Sequence, residues 1–256
     1  ARLLEPSAEE RSGGAAMRPV AITPYYATLL EGREAEYPLR RSVVPTGAEL
    51  RIAAEEAGDP LGEERDTVVP GLVHRYPDRV LFLVTEQCAV YCRYCTRSRL
   101  VGRAEAGAQG KPGHVPGNRH WEAAIRYIRE HREVRDVLIS GGDPLTLPDR
   151  QLESLLGRIR EIPHVEILRI GTKTPVVLPQ RFTPKLLRIL RSYHPLWMSI
   201  HVTHPRELTP EMRAATSLIA DAGIPMGSQT VLLKGINDDV ETMRRLNQGL
   251  LTCRVR

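Results

Sequence analysis

The sequence of 256 residues is short of aromatics, which make up 5%, with two phenylalanines and two tryptophans. It has no apolar run approaching the roughly 20 residues that cross a bilayer as a helix. Its first segment, ARLLEPSAEERSGGAAM, lacks the apolar stretch of a secretory signal. Lysine is scarce as well: of 36 basic residues only Lys111, Lys173, Lys185 and Lys234 are lysines. The net charge of +5 comes from arginines spread along the whole chain without interleaved aromatics. That pattern favours a solvated basic surface over a nucleic-acid-binding face. Cysteine is limited to Cys88, Cys92, Cys95 and Cys253. Three of them within eight residues do not make a framework of disulfides spread to staple loops. They point to reduced thiols holding a ligand, and to a cytoplasmic location without membrane contact.

What remains is an ordinary globular composition, 41% hydrophobic and 26% charged. Residues 18–64 carry five prolines and read as an extended arm with short helices, the best of them ITPYYATLLE. From residue 80 onward the pattern is regular. Apolar runs at 80–85, 137–140, 165–170, 196–202 and 230–233, with the start of a sixth at 251–255, read as strands. Helical stretches lie between them at about 119–132, 148–160, 183–192, 209–222 and 239–250. Thr183-Pro184 and Thr209-Pro210 are N-cap and first-turn signatures, and Gly223 marks a helix end. The stretch from Gly102 to Gly117 reads as a glycine-rich loop.

Strands alternating with amphipathic helices predict a parallel sheet with right-handed crossovers. The expected fold is therefore α/β, a partial (β/α)6 barrel over 71–256, behind an arm over 1–70. In such a barrel the chemistry sits on loops after the C-terminal ends of strands. The cysteines, SGGDP, GTKTP, HVTHP and LKGIND follow the five predicted strands in turn. The sequence stops inside the sixth and begins with Ala, so a fragment is expected.

Cys88-x3-Cys92-x2-Cys95 supplies three thiolates with no nearby fourth cysteine. Structural zinc closes four ligands, and a ferredoxin-type cluster takes four cysteines. Three thiolates on a 4Fe-4S cubane leave one iron open to a small molecule. The alternative is a zinc knuckle completed by His74 or His114. Cys253, in an apolar segment, reads as a core residue. Lys173 and Lys234 lie on the expected rim; each reads as a solvated loop lysine or as the binder of an acidic group.

The spacing resembles the radical S-adenosylmethionine (SAM) superfamily. With its flanks, HRYPDRVLFLVTEQCAVYCRYCTRSRLVG (residues 74–102) closely resembles the lysine 2,3-aminomutase family. The resemblance extends through SGGDPL, RIGTKTPVVLPQR, HVTHPREL and GSQTVLLKGIND and covers residues 20 to 256. It implies a radical SAM barrel and a 1,2-amino shift on an amino acid, most commonly L-lysine to L-β-lysine. The cofactors implied are a 4Fe-4S cluster, SAM and pyridoxal phosphate (PLP), and the implied partner is an electron donor such as flavodoxin or ferredoxin. Cys88, Cys92 and Cys95 would hold the cluster. Gly141, Gly142, Asp143, His201 and Gln229 match positions around SAM. Arg97 matches the residue gripping the substrate carboxylate, and Arg75, Tyr76 and Arg79 match positions around the PLP phosphate.

The sequence also departs from the family. The PLP-anchoring lysine and the acids that select the substrate's distal amine would lie past Arg256, and none of the four lysines takes their place. Tyr94 stands where family members commonly have histidine, and Asp239 where some place a zinc-binding cysteine. Lysine, glutamate, arginine and a lysine destined for a translation factor all stay open as substrates, as does a homo-oligomer. A relative without PLP and a zinc-stabilised nucleic-acid-binding module are the competing readings.

Overall fold

The architecture is described from a computed structural model, for residues 20–30, 34, 37–51, 53–102 and 117–256. Lys111, His114, most of the glycine-rich loop and the first 19 residues lie outside the described residues.

The sheet starts from a hairpin. In TVVPGLVHRY, Pro70 and Gly71 sit between β1 (Thr67–Val69) and β2 (Leu72–Tyr76). Gly71 has φ +79°, the value a type II turn needs at its third residue. β2 then pairs antiparallel with β3 (Arg79–Thr85). From β3 the chain continues as parallel strands β4 (Asp136–Gly141), β5 (Ile167–Thr172), β6 (Leu196–His201) and β7 (Met226–Gln229). All seven lie in one sheet in chain order.

Helices join the parallel strands. α1 (Pro24–Thr28) and α2 (Pro38–Val43) lie in the arm, and α3 (Gly117–Glu130) follows β3. α4 (Asp149–Arg160) follows β4; the short α5 (Thr174–Val177) and α6 (Pro184–Arg191) follow β5. α7 (Pro210–Asp221) follows β6, and α8 (Val240–Thr252) follows β7. Helix starts follow the sequence signals: Thr183 and Thr209 accept from the amides of Leu186 at 3.2 Å and Met212 at 3.1 Å.

Alternation along the strands sorts the two faces. Val80, Phe82, Val84, Val137, Ile139, Leu168, Ile170, Met198 and Ile200 are buried against the helices. On the other face Leu81, Leu138, Arg169 and Trp197 stand in register across four strands, and Trp197 is 45% exposed. This inner, concave face is the lumen of a partial barrel, as expected. Tyr26, Leu30, Leu39 and Val43 of the arm join the same hydrophobic core, and the hairpin straddles residue 70.

Three expectations need correction. The fifth parallel strand is Met226–Gln229, not residues 230–233. Asn237, fully buried, claims that later segment: its amide nitrogen donates to Thr203 O at 2.8 Å and Val231 O at 2.9 Å, and its oxygen accepts from Leu233 N at 2.7 Å. Residues 251–255 do not open a full strand. α8 runs to Thr252, and only Val255 forms a parallel bridge, to Met226. The third, residues 165–170, is a shift: β5 begins at Ile167, because the two residues before it are engaged elsewhere, Arg160 Nη1 donating to Val165 O at 3.1 Å and Glu166 N donating to Arg135 O at 2.8 Å.

Candidate active site

The loop after β3 carries Cys88, Cys92 and Cys95, all half-buried and none in a disulfide. A turn closes the second pair, Cys95 N to Cys92 O at 3.3 Å. Two glycines of the neighbouring loop hold this segment in place. A Cβ on Gly141, at φ +120°, would sit 2.4 Å from Thr85 O, and one on Gly142 would sit 2.2 Å from Gln87 O. Gly142 N instead donates to Thr85 O at 2.6 Å and Asp143 N to Gln87 O at 2.7 Å. The glycines therefore allow the cysteine loop's own backbone to approach.

Asp143 is 5% exposed and its carboxylate is fully engaged. It accepts from Thr172 Oγ1 at 2.7 and 2.9 Å, Lys173 N at 2.8 Å, Thr174 N at 3.1 Å and Leu145 N at 3.1 Å. Burial raises its pKa while these donors oppose the rise. Asp143 thus ties the loop after β4 to the end of β5.

Beneath the cysteines lies a buried polar hub that the sequence did not announce. Lys173 is 7% exposed, not a solvated loop lysine. Its Nζ meets Glu207 Oε1 at 2.7 Å and donates to His201 O at 3.3 Å. Glu207, with no exposed surface, also accepts from Tyr26 Oη at 2.8 Å and from Thr203 N at 2.7 Å. Burial opposes ionisation of Glu207, but Lys173 and the other donors hold its pKa below the usual value. The positive field of Lys173 reaches Cys92 and His201. Burial, with Lys173 and Arg97, pushes the His201 pKa down to about 4, so its imidazole is neutral near pH 7. His201 pairs in register with Gln229, and both end their strands.

Arg97, two residues past Cys95, is fixed by Glu63: Nε lies 3.0 and 3.1 Å from its two oxygens and Nη2 2.8 Å from Oε1. Nη1 is 3.5 Å from Ser140 Oγ, near the end of β4. Arg75, Tyr76 and Arg79 come together elsewhere. A register shift between Val73 and Tyr76 places Tyr76 opposite Arg79, whose guanidinium is 5.8 Å from its ring centre. Arg75 binds Asp66 at 2.5 Å. Arg79 shares the buried Asp136 with Arg169, at 2.9 and 2.7 Å. This group is at the N-terminal end of β3, about 20 Å along the strand from the cysteine loop. One rim therefore gathers the cysteines, SGGDP, Lys173, His201 and Gln229, while Tyr76 and Arg79 lie at the opposite end and Arg75 turns to Asp66. Lys234 stays on the rim loop, where its carbonyl accepts from Arg41 at 3.4 Å.

The cysteine set fits an iron–sulfur cluster. Each thiol lies within electrostatic reach of the other two. Burial pushes the Cys88 and Cys92 thiols up, and the positive charge of a bound cluster's iron would offset that burial and favour thiolates. The Tyr94 hydroxyl is buried beside Cys92 without an oxygen or nitrogen partner among the described residues, a position open to a sulfur acceptor. His74, named for a zinc knuckle, instead pairs with Tyr127 Oη at 2.9 Å on the outer side of the hairpin.

A cysteine loop at the head of a parallel half-barrel, ringed by a neutral histidine and a glycine-held loop, defines the class. The chain belongs to the radical SAM superfamily, whose family model matches residues 82–246. Within it, the chain is similar to lysine 2,3-aminomutases. It is 50% identical over 237 residues to the L-lysine 2,3-aminomutase of Clostridium subterminale, covering 93% of this chain and 55% of that protein. With the L-lysine 2,3-aminomutase of Bacillus subtilis the identity is 48%, over 93% of this chain and 49% of that protein. With the glutamate 2,3-aminomutase of Clostridioides difficile it is 42%, over 92% and 54%. The chain thus spans about half the length of the curated relatives it matches. The crystal structure of Streptococcus suis SuiB bound to S-adenosylmethionine shares the fold. Its TM-score is 0.51 at 14% identity, covering 73% of this chain and 40% of that one.

Proposed function

We propose that this chain is the SAM-cleaving part of an amino-acid 2,3-aminomutase, an isomerase, acting on L-lysine to give L-β-lysine. The observation that carries this reading is the convergence of the three cysteines with Lys173, His201 and the SGGDP loop on one rim. The 50% identity to an L-lysine 2,3-aminomutase supports the choice of reaction. Cys88, Cys92 and Cys95 would hold a 4Fe-4S cluster and leave one iron for SAM. When bound, cluster and SAM supply a carbon radical, and PLP supplies a conjugated system able to carry a migrating nitrogen.

The protein's own residues then position and shield. Gly141 and Gly142 hold the cysteine loop, while neutral His201, with Gln229 beside it, offers uncharged polar groups to SAM. Arg97 receives the substrate carboxylate, a task for which a planar fork of donors is suited. Arg75, Tyr76 and Arg79 form the phosphate end of the PLP site. A small one-electron donor such as flavodoxin or ferredoxin reduces the cluster, and the protein works in the cytoplasm.

The test is anaerobic reconstitution with iron and sulfide, followed by electron paramagnetic resonance of the reduced protein with and without SAM. A signal that changes on adding SAM is expected of this chain, and β-lysine from L-lysine with PLP is expected of the full-length protein. Retention of the cluster in Cys92→Ala would sink the cluster assignment. β-Glutamate from L-glutamate, with L-lysine inert, would transfer the reaction to the other substrate.

A further inference from the structure

The stretch of the arm before the hairpin, GDPLGEERD (residues 58–66), has no part in the reading above, yet its four acids engage three arginines that lie beyond it. Asp66 binds Arg75, Asp59 binds Arg99 at 2.9 Å, and Glu64 binds Arg99 at 3.0 Å. Glu63 is the buried member, 5% exposed, and it faces Arg97 with Arg99 at 3.6 Å behind it. The segment is itself braced: Glu64 N donates to Asp59 Oδ2 at 2.8 Å, and Thr67 Oγ1 donates to Glu63 O at 2.8 Å.

The pairing is directional. Glu63 takes the Nε and Nη2 side of the Arg97 guanidinium and leaves Nη1 directed at Ser140, which shares the lumen-facing row with Leu83. An arginine on a loop two residues from a cluster ligand would otherwise sample several rotamers, and each hydrogen bond to a ligand would cost that freedom. Arg99, held by Asp59 and Glu64, offsets part of the negative charge that Glu63 brings to the site.

We infer that Glu63 is a positioning residue for substrate recognition. It fixes the Arg97 guanidinium so that the Nη1/Nη2 edge faces the lumen, where the carboxylate of an amino-acid substrate docks. This inference rests on the proposed role of Arg97. Glu63 itself touches no substrate; it acts through Arg97 alone.

The experiment compares equilibrium binding of L-lysine and L-lysinamide, which lacks the carboxylate, to the full-length, PLP-loaded protein by calorimetry. In Glu63→Gln, a near-isosteric change, L-lysine is expected to bind about tenfold more weakly, while L-lysinamide stays within about twofold. Adding Glu63→Gln to Arg97→Gln is expected to cost nothing further. The Arg97 Nε–H resonance, ordered by the pair, is expected to shift or broaden in Glu63→Gln even without substrate. Unchanged or tighter L-lysine binding in Glu63→Gln overturns the inference, the second outcome making Glu63 a competitor of the substrate. A loss shared equally by lysine and lysinamide reduces Glu63 to a structural role and also overturns it. If Arg97→Gln leaves the lysine–lysinamide difference intact, or L-lysine does not bind the unsubstituted protein, the reading of Arg97 itself fails.

Discussion

Lys173→Met strips the ammonium from the hub beneath the cysteines and leaves Glu207 buried among four remaining donor contacts. The pair lies at 2.7 Å with side-chain exposures of 8% and 0%, so solvent screens it little. Removing one partner of such a pair costs about 3–5 kcal/mol. The lower end applies here, because Tyr26 Oη, Thr203 N, Thr203 Oγ1 and His204 N still donate to the carboxylate.

The loss should depend on pH in a defined direction. In the intact protein Glu207 titrates below its ordinary value. Its contribution is therefore present above the unfolded pKa and is lost as pH falls through the folded one. In Lys173→Met, burial dominates and raises the Glu207 pKa, so the folded variant gains a proton that the unfolded chain lacks. The deficit is then largest at high pH and shrinks as pH falls toward the unfolded carboxyl value, about 4.3. Equilibrium urea unfolding at pH 5.5 and 8 reads both quantities. A second substitution, Glu207→Gln in the Lys173→Met background, should recover part of the loss. A deficit under about 1 kcal/mol at pH 8, or one equal at the two pH values, refutes the buried-pair account.

Gly142→Ala places a methyl group 2.2 Å from Gln87 O, a backbone atom, so the cysteine loop must shift. We expect a cost of about 1–3 kcal/mol and a fall in iron bound per chain after reconstitution, and a full iron complement would refute it. Cys253→Ser, in the core at 2% exposure, should leave iron content and absorbance near 400 nm unchanged, since Cys253 is not a ligand. His201, at about 4, should show no imidazole titration between pH 5.5 and 8 by NMR. Because the unfolded histidine takes a proton below its own, higher pKa, His201 removes stability as pH falls through the window from 6.5 to about 4. A folded-state midpoint near 6.5 would contradict its burial.

Short apolar runs made four of the five parallel strands legible, and threonine–proline pairs marked the starts of α6 and α7. The positions of the cysteines and of SGGDP at strand ends also read correctly, because loops at strand ends depend on local order. What escaped were features set by tertiary contact. TVVPGLVHRY carries a proline–glycine turn between β-rich runs, so the β1–β2 hairpin could have been found. TVLL looks like a strand on composition alone, but Asn237 captures its backbone from six residues away. Lys173 reads as a rim lysine because its partner, Glu207, is 34 positions later. Glu63 and Asp136 carry no motif at all; only folding sets them against Arg97 and against Arg79 and Arg169.

The order of the strands has a consequence for how the molecule assembles. Each strand pairs only with its neighbours in the chain. The hairpin can therefore form first, and every later unit can dock on a completed edge as it emerges, with little loop closure at each step. The arm is the exception. Thr23 binds Val177 O, Tyr25 meets Thr209 and Tyr26 reaches Glu207 across 154, 184 and 181 residues. Those contacts have no partner surface until β5 and β6 are in place, so the first segment of the described chain cannot complete its docking before them. α1 acts as a latch over a sheet already built, and its amides should exchange with solvent ahead of those in β3 to β6.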